Sequence, residues 1–315
     1  MKTFLTDVLK GLQSSPKYLQ SKYFYDKKGD ELFQKIMDSD EYYLTNAEME
    51  IFSTQQSQMA DTVLQDADKI DVIEFGPGDA TKSIHLIKEL SQRNKLANYI
   101  PIDISENIIA LLNKNLPKQI PGLSIHGLAG EYLQMLPIAH EISSNQKLVL
   151  FLGANIGNFK FDEAPLFLQK LRSLLSHGDK VLIGFDLKKD PYKILAAYND
   201  KEGYTREFNL NLLRRINREL GGNFQIENFE HYPVYDPQTG ACKSYLISLE
   251  TQEVKIGGDI IHFEKNEPIY MEISQKYSLK EIDEMTGCCG FGMINYFCDS
   301  NHYFVDVVLK SNGRK

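Results

Sequence analysis

The sequence Asp71-Val-Ile-Glu-Phe-Gly-Pro-Gly-Asp-Ala-Thr-Lys82 contains a short apolar run that ends in a glycine-rich turn. The run Val72–Phe75, bounded by polar residues and glycines, predicts a buried strand. The turn Gly76-Pro77-Gly78-Asp79 lets the backbone approach a ligand closely, because glycine has no Cβ. Thr81–Leu90 follows with apolar residues at helical spacing. A strand, a glycine turn and a helix in this order predict the first part of a nucleotide-binding α/β domain.

This turn is compatible with three kinds of nucleotide ligand. A dinucleotide fingerprint requires a third glycine where Thr81 stands, and a phosphate loop requires a glycine at the same position, before Lys82-Ser83. An S-adenosylmethionine loop needs only an acid at the end of the strand and one or two glycines under the cofactor. Glu74, Gly76 and Gly78 satisfy that pattern. Two glycines do not decide between these ligands, so the rest of the chain has to.

Composition narrows the class of protein. The chain has 315 residues, enough for one large domain or two small ones, and its hydrophobic fraction of 42% is that of a globular protein. A net charge of −8 argues against binding to nucleic acid, which requires a basic face. No run approaches the ~20 apolar residues that span a bilayer. We therefore expect a cytoplasmic protein without a membrane segment, and a monomer, because no oligomerisation stripe is evident.

The cysteines and histidines do not indicate a metal site. The four cysteines lack the spacing of metal ligands, and histidines such as His85 and His126 occur singly. We therefore expect reduced thiols and no bound metal.

Strands and helices continue to alternate after the first turn. The further predicted strands are Tyr99–Ile102, Leu123–Gly127, Lys147–Leu152 and Lys180–Phe185. Asp103 follows the first of these, where a carboxylate can accept both ribose hydroxyls of a nucleotide. The segment Ala129-Gly-Glu-Tyr132 follows the second, and we expect it on the adenine side. Asn158 lies in a loop with Asn155 and two glycines after the third, and this composition at a strand end indicates a ligand site.

The remaining segments predict how the chain is organised. Thr45 with Glu48 three residues later predicts a capping box and a helix that runs to about residue 64. Period-two patterns within residues 224–275 predict antiparallel strands, and 191–275 as a whole predicts an inserted α+β lobe. Residues 291–299 and 303–310 predict an antiparallel pair that closes the first sheet. The predicted fold is a class I S-adenosylmethionine-dependent methyltransferase: a Rossmann-like sheet from 61–190 and 276–315, preceded by a helical segment 1–60.

Across nearly its whole length, the sequence resembles the histidine-specific N-methyltransferase family, typified by enzymes of ergothioneine biosynthesis. The matching motifs are Tyr23-Phe-Tyr-Asp26 with Gly29, Glu41-Tyr-Tyr-Leu-Thr45 with Glu48, Glu74-Phe-Gly-Pro-Gly78 with Lys82, Phe151-Leu-Gly-Ala-Asn-Ile-Gly-Asn158, Ala197-Tyr-Asn-Asp200, and Glu272-Ile-Ser274 with Lys276. Together they are far more specific than the glycine turn alone. The resemblance also implies that segment 1–60 and the inserted substrate-recognition lobe 191–275 jointly cover the amino acid.

The resemblance implies methyl transfer from S-adenosylmethionine to the α-amine of L-histidine, continuing to the trimethylated betaine, hercynine. The implied cofactor contacts are Gly76, Lys82, Asp103, Glu131 and Tyr132. The implied amino-acid contacts are Tyr42, Asn158, Tyr198, Glu272 and Ser274, and the tyrosines Tyr25 and Tyr42 are the candidate catalytic residues near the reacting amine. Similar enzymes methylate other amino acids, so another amine stays open as the substrate. A non-catalytic S-adenosylmethionine-binding protein is the alternative from a different class.

Overall fold

The computed structural model describes residues 2–312, which divide into two compact units. The first unit comprises the described part of Met1–Tyr43 together with Lys188–Gln275, and the second comprises Leu44–Leu187 together with the described part of Lys276–Lys315. The predicted insert 191–275 lies within the first unit, whereas residues 1–60 are divided between the two units. Within residues 2–312, no helix has both the length and the apolar character that a membrane span requires.

The helices and strands are numbered separately in chain order. The α-helices are α1 (Lys2–Leu12), α2 (Lys27–Met37), α3 (Tyr43–Thr54), α4 (Gln56–Val63), α5 (Ile84–Gln92), α6 (Glu106–Gln119), α7 (Tyr132–Glu141), α8 (Glu163–Ser173), α9 (Pro191–Ala196), α10 (Tyr204–Leu220) and α11 (Leu279–Cys288). The β-strands are β1 (Lys17–Tyr18), β2 (Ile70–Phe75), β3 (Leu96–Asp103), β4 (Leu128–Ala129), β5 (Gln146–Phe151), β6 (Lys180–Asp186), β7 (Phe229–Asp236), β8 (Ala241–Ser248), β9 (Gln252–Ile256), β10 (Asp259–Phe263), β11 (Pro268–Gln275), β12 (Phe291–Cys298) and β13 (Phe304–Ser311).

The second unit is built on a seven-stranded sheet in the order β12-β13-β6-β5-β2-β3-β4. The strands from β6 to β4 are parallel, whereas β13 runs antiparallel to both β6 and β12. Strands β2 and β6 are buried along their whole length, as expected when helices cover both faces of a parallel sheet. The predicted class I methyltransferase fold, with its antiparallel last pair of strands, is confirmed.

Chain order places a topological switch beside β2. The chain runs from β2 outward to β3 and β4 on one side, then returns to β5 and β6 on the other. In open α/β sheets, ligands bind at the carboxyl ends of the strands next to such a switch. The loops after β2, β3, β4 and β5 all leave the sheet at that edge.

The first unit has its own sheet and its own core. Strands β1-β11-β8-β7 form one sheet, and β9 pairs with β10 in a two-stranded ribbon. Apolar side chains of α1, α2 and α10 pack with this sheet and the ribbon in one continuous cluster. The predicted antiparallel region is confirmed for β8 to β11, whereas β1 and β7 were not predicted.

Three local predictions are wrong. The capping box at Thr45 is absent, because α3 begins at Tyr43 and Glu48 lies inside it, where its carboxylate pairs with Lys82 instead. The predicted single helix is also two helices, α3 and α4. The predicted strand Leu123–Gly127 forms only an isolated bridge between Ile125 and Tyr99. Its polar side chains bond to each other and to Asn98 rather than packing into the core.

Candidate active site

The turn after β2 adopts a backbone conformation that requires glycine. Gly76 and Gly78 have φ angles of +60° and +55°, and the Gly76 amide donates a hydrogen bond to Ile102 O at 2.9 Å. A Cβ at Gly76 would lie 2.6 Å from the Tyr132 hydroxyl oxygen, whereas a Cβ at Gly78 would meet no atom within 4 Å. The turn is therefore closed on one side by a tyrosine and open at its second glycine.

Tyr132 begins α7 and lies flat against the end of β2. Its ring stacks on Phe75 with a centroid distance of 5.0 Å and an interplanar angle of 4°. Burial raises the pKa of the Tyr132 hydroxyl to about 12, so this group stays protonated at neutral pH. Glu131 precedes it at the N-cap position of α7, where its carboxylate is exposed and makes no capping bond. This pair places an aromatic ring and a carboxylate beside the glycine turn.

Asp103 ends β3, the strand next to β2. Its Oδ1 accepts a hydrogen bond from the Ser105 amide at 2.8 Å, and Ser105 in turn caps α6. Partial burial raises the pKa of Asp103. The glycine turn, the Asp103 carboxylate and the Glu131–Tyr132 pair therefore lie at one edge of the sheet.

Beneath the turn, Glu48 of α3 links two of the strand-end loops. Its carboxylate pairs with the Lys82 ammonium and accepts the Gly153 amide, at 2.8 Å to Oε1 and 3.0 Å to Oε2. The Glu48 side chain is 1% exposed, whereas that of Lys82 is 25% exposed. The Glu48 carboxylate is therefore buried, whereas part of the Lys82 side chain is accessible.

Glu74 is also buried beneath the turn, with 3% of its surface exposed. Burial raises the pKa of its carboxyl to about 7, against hydrogen bonds from Tyr99 and Ser83 that lower it. The Tyr99 hydroxyl donates to Glu74 Oε2 at 2.6 Å. The contact of Glu74 with the cofactor stays a prediction. The Glu74 side chain is buried under the glycine turn and does not lie on the surface of the turn.

The loop after β5 carries the predicted residue Asn158. Asn155–Asn158 forms a 3-10 turn, in which Asn155 Nδ2 donates to Leu152 O at 2.8 Å and Asn158 Nδ2 donates to Asn155 Oδ1 at 3.4 Å. Asn155 therefore supports the loop, while Asn158 is exposed.

Three of the residues predicted to bind the amino acid lie together in the first unit. The Tyr198 hydroxyl donates to Ser274 Oγ at 2.7 Å, and the Tyr42 and Tyr198 rings meet edge to face with centroids 6.5 Å apart. Glu272 precedes Ser274 by two residues on β11, so both side chains project from the same face. The irregularity in the β11–β8 register lies before Glu272 and leaves this alternation intact.

The two candidate catalytic tyrosines are connected through Phe33. Tyr25 contacts Phe33 and Phe208 with centroid distances of 5.6 Å, and Phe33 contacts Tyr42 at 6.4 Å. Tyr25 is half exposed. The first unit therefore presents an aromatic row that ends at the Tyr198–Ser274 hydrogen bond.

Sequence reasoning missed three buried polar residues of the second unit. Glu48 was interpreted as part of a capping box, and neither Tyr99 nor Asp306 was considered. An acid inside the apolar run Phe304–Leu309 is the signal that could have identified Asp306. In the part of the chain that the structure describes, no group of three or more His, Cys, Asp or Glu residues could hold a metal ion.

Comparison with known proteins finds relatives that match 90% or more of this chain. The chain is 31% identical over 296 residues to a histidine N-alpha-methyltransferase of Mycobacterium tuberculosis, covering 93% of this chain and 90% of that protein. It is 31% identical to ergothioneine biosynthesis protein 1 of Neurospora crassa, of which the match covers 35%. It is also 27% identical to a 4-dimethylallyltryptophan N-methyltransferase of Aspergillus fumigatus, over 90% of this chain and 86% of that protein.

The family comparison covers nearly the whole chain. Residues 4–311 match the family described as "Histidine-specific methyltransferase, SAM-dependent". The chain therefore belongs to the family of histidine-specific, S-adenosylmethionine-dependent methyltransferases.

Proposed function

We propose that this S-adenosylmethionine-dependent N-methyltransferase methylates the α-amine of L-histidine and continues to the trimethylated betaine, hercynine, as a step of ergothioneine biosynthesis. The observation that carries the proposal is the Tyr198–Ser274 hydrogen bond beside Glu272 on one face of β11. Relatives named as histidine N-alpha-methyltransferase and as ergothioneine biosynthesis protein 1 support it.

The β11 pair suits an imidazole ring. A neutral imidazole carries one N–H donor and one acceptor nitrogen. Glu272 can accept the N–H, and Ser274, whose oxygen accepts a bond from Tyr198, can itself donate its O–H to the other nitrogen. A site that satisfies both nitrogens discriminates strongly against an apolar side chain, by up to ~10⁴-fold or more, because its own polar groups would then stay unpaired.

The donor set at the sheet edge suits S-adenosylmethionine. In the proposed arrangement, Asp103 accepts the ribose hydroxyls, Tyr132 and Glu131 contact the adenosine, and Lys82 offers a cation to the carboxylate. Gly78 leaves space at the turn, since a Cβ there would meet no atom. The bound cofactor supplies an electrophilic methyl group on its sulfonium.

The protein then has two tasks: to align the amine with the methyl group, and to present the amine in its neutral form. Tyr25 and Tyr42 are the proposed residues for the second task, because a phenolic oxygen can accept a hydrogen bond from the amine and a ring face favours a methylated cation. A hydroxyl also suits repeated transfer, in which the amine turns and loses a proton between rounds. Asn158 and Tyr198 are the proposed contacts of the substrate carboxylate.

The test is a calorimetric titration of the protein with L-histidine in the presence of S-adenosylhomocysteine. We expect wild type to bind histidine and Glu272→Ala to lose this binding while it still binds S-adenosylhomocysteine. Glu253→Ala, which removes an exposed carboxylate of β9 in the same unit, is the matched control and should bind histidine as wild type does.

Turnover is then followed by mass spectrometry, which separates the mono-, di- and trimethylated products. A wild-type protein that binds S-adenosylhomocysteine but no histidine would exclude histidine as the substrate and favour another amine, such as the substituted tryptophan in the name of one relative. Binding of S-adenosylhomocysteine with no methylated product from any amino acid would favour the non-catalytic alternative.

A further inference from the structure

We propose that Glu48 is a positioning residue of the cofactor site: its buried carboxylate orients the Lys82 ammonium and fixes the loop after β5. The inference rests on the proposed function in one respect, namely that Lys82 contacts the carboxylate of the cofactor. Glu48 itself lies on α3, an element that carries none of the predicted cofactor residues.

The geometry shows a carboxylate with three bonds to two different loops. Both oxygens of Glu48 lie within 3.0 Å of the Gly153 amide nitrogen, and Oε2 also pairs with Lys82. Gly153 lies two residues after the end of β5 with a φ of +74°, and a Cβ there would lie 3.7 Å from Lys82 Nζ. The loops after β2 and β5 are thus held together by one anionic group from a third element.

The sheet leaves space for this carboxylate. A Cβ at Gly184 of β6 would collide with Glu48 Oε1 and would lie 2.9 Å from the Phe304 ring. A larger residue at 184 would therefore displace Glu48. Glycine in the middle of a buried strand normally weakens that strand. At position 184, glycine leaves the space that the Glu48 carboxylate occupies.

The exposure of the two partners indicates a positioning role rather than a purely stabilising one. Ion pairs buried at both ends add little stability, and apolar residues of the same volume often serve as well. In this pair only Glu48 is fully buried, while a quarter of the Lys82 side chain remains accessible. A lysine held in place before a ligand arrives loses less conformational freedom on binding.

Glu48 also maintains the charge of Lys82. Burial alone would lower the pKa of Lys82, but the charge of Glu48 and its hydrogen bond outweigh burial and raise it. The other acids that act on Lys82 are Glu74 from β2 and Asp306 from β13. Burial raises the pKa of both, so at neutral pH neither is a fully charged substitute for Glu48.

The main test compares Glu48→Gln with wild type in calorimetric titrations with S-adenosylhomocysteine between pH 6.5 and 9. Glutamine can still accept the Gly153 amide but no longer pairs a charge with Lys82. We expect binding about tenfold weaker at neutral pH, the order of magnitude of a lost hydrogen bond to a charged group. The deficit should grow as the pH rises, because the pKa of an unpaired Lys82 falls.

The matched control is Glu50→Gln. Glu50 is on the same helix and also accepts a loop amide, that of Ser300 at 2.8 Å, but this bond is exposed and no bond from Glu50 to Lys82 or Gly153 is present in the described residues. The Glu50→Gln variant should bind S-adenosylhomocysteine with the affinity of wild type at every pH. In turnover assays, Glu48→Gln should raise KM for S-adenosylmethionine and leave kcat at saturation largely unchanged.

A double variant covers the case in which Glu48→Gln does not fold. Glu48→Gln with Lys82→Gln removes both charges together, and it should bind S-adenosylhomocysteine as weakly as Lys82→Gln alone, because Glu48 acts through Lys82. A folded Glu48→Gln protein with a lower Tm but wild-type affinity would refute the positioning role, as would additive effects in the double variant. A wild-type protein that does not bind S-adenosylhomocysteine would refute the proposed function, and this inference with it.

Discussion

Replacing Glu74 by glutamine should stabilise the protein at neutral pH and have little such effect in mild acid. Glu74 is 3% exposed, and burial raises the pKa of its carboxyl from 4.5 to about 7. The Tyr99 hydroxyl that donates to Glu74 at 2.6 Å can donate equally to the amide oxygen of glutamine. Ser83, whose hydrogen bond also acts on Glu74, can accept from the new amide nitrogen.

The sign and size of this effect follow from the pKa values of Glu74 in the unfolded and in the folded chain. The unfolded chain releases the Glu74 proton above pH 4.5, whereas the folded chain keeps it until about pH 7. Folding therefore becomes less favourable as the pH rises through this interval, by about 1.4 kcal/mol per pH unit and by about 3 kcal/mol in total. Glutamine does not titrate, so the variant lacks this loss. Any constant difference in packing or hydrogen bonding shifts the comparison equally at each pH.

The assay is urea denaturation followed by far-ultraviolet circular dichroism, at intervals between pH 4.5 and 8. We expect the difference in unfolding free energy, variant minus wild type, to rise by about 3 kcal/mol across this range and to level off above pH 7. Glu284→Gln on α11, whose carboxylate is 63% exposed, is the control and should show no such rise. A difference for Glu74→Gln that is the same at all pH values would refute the reasoning.

Three further variants test other buried charges. Asp306→Asn should raise Tm more at pH 8 than at pH 5. Burial raises the pKa of Asp306, so the unfolded chain releases this proton at a lower pH than the folded protein does. Lys276→Met should lower the unfolding free energy by about 3–5 kcal/mol in urea titrations, because the substitution removes the ammonium that pairs with the buried Asp186 carboxylate at 2.7 Å. His231→Phe should reduce the fall in Tm between pH 6.5 and pH 4. Burial lowers the pKa of His231 to about 4, so the unfolded chain binds this proton at a higher pH than the folded protein does.

The fold was predictable where burial alone decides it. The apolar runs that predicted β2, β5 and β6 mark central strands of a parallel sheet, in which both faces are covered. Strand β7 was missed because it lies at an edge: only two of its residues, Phe229 and His231, are buried, and it contains Pro233. Proline weakens a strand prediction, although an edge strand tolerates it.

The candidate site was predictable in part for a similar reason. The carboxyl ends of parallel strands share one edge, so strand prediction alone brings Gly76, Asp103 and Tyr132 to the same region. It could not identify Glu48, whose partners Lys82 and Gly153 are 34 and 105 residues away in the sequence. The spacing of Thr45 and Glu48 fits a local capping box, and only the tertiary structure shows that the carboxylate is used elsewhere.

The buried acids at the two ends of strand β2 affect stability in opposite directions. At its start, Asp71 accepts hydrogen bonds from Lys147, Ser143, Asn98 and Asn145, which outweigh burial and lower its pKa. That cluster is satisfied and adds stability at neutral pH.

Toward the carboxyl ends of the parallel strands, burial has the opposite effect on two acids, Glu74 and Asp306. Burial raises the pKa of Glu74, and within residues 2–312 neither carboxyl oxygen of Asp306 has a hydrogen-bond partner. These acids reduce stability at neutral pH, whereas apolar residues in the same strands would not. Departures of this kind concentrate at sites where a protein binds or reacts, because there stability is not the only requirement.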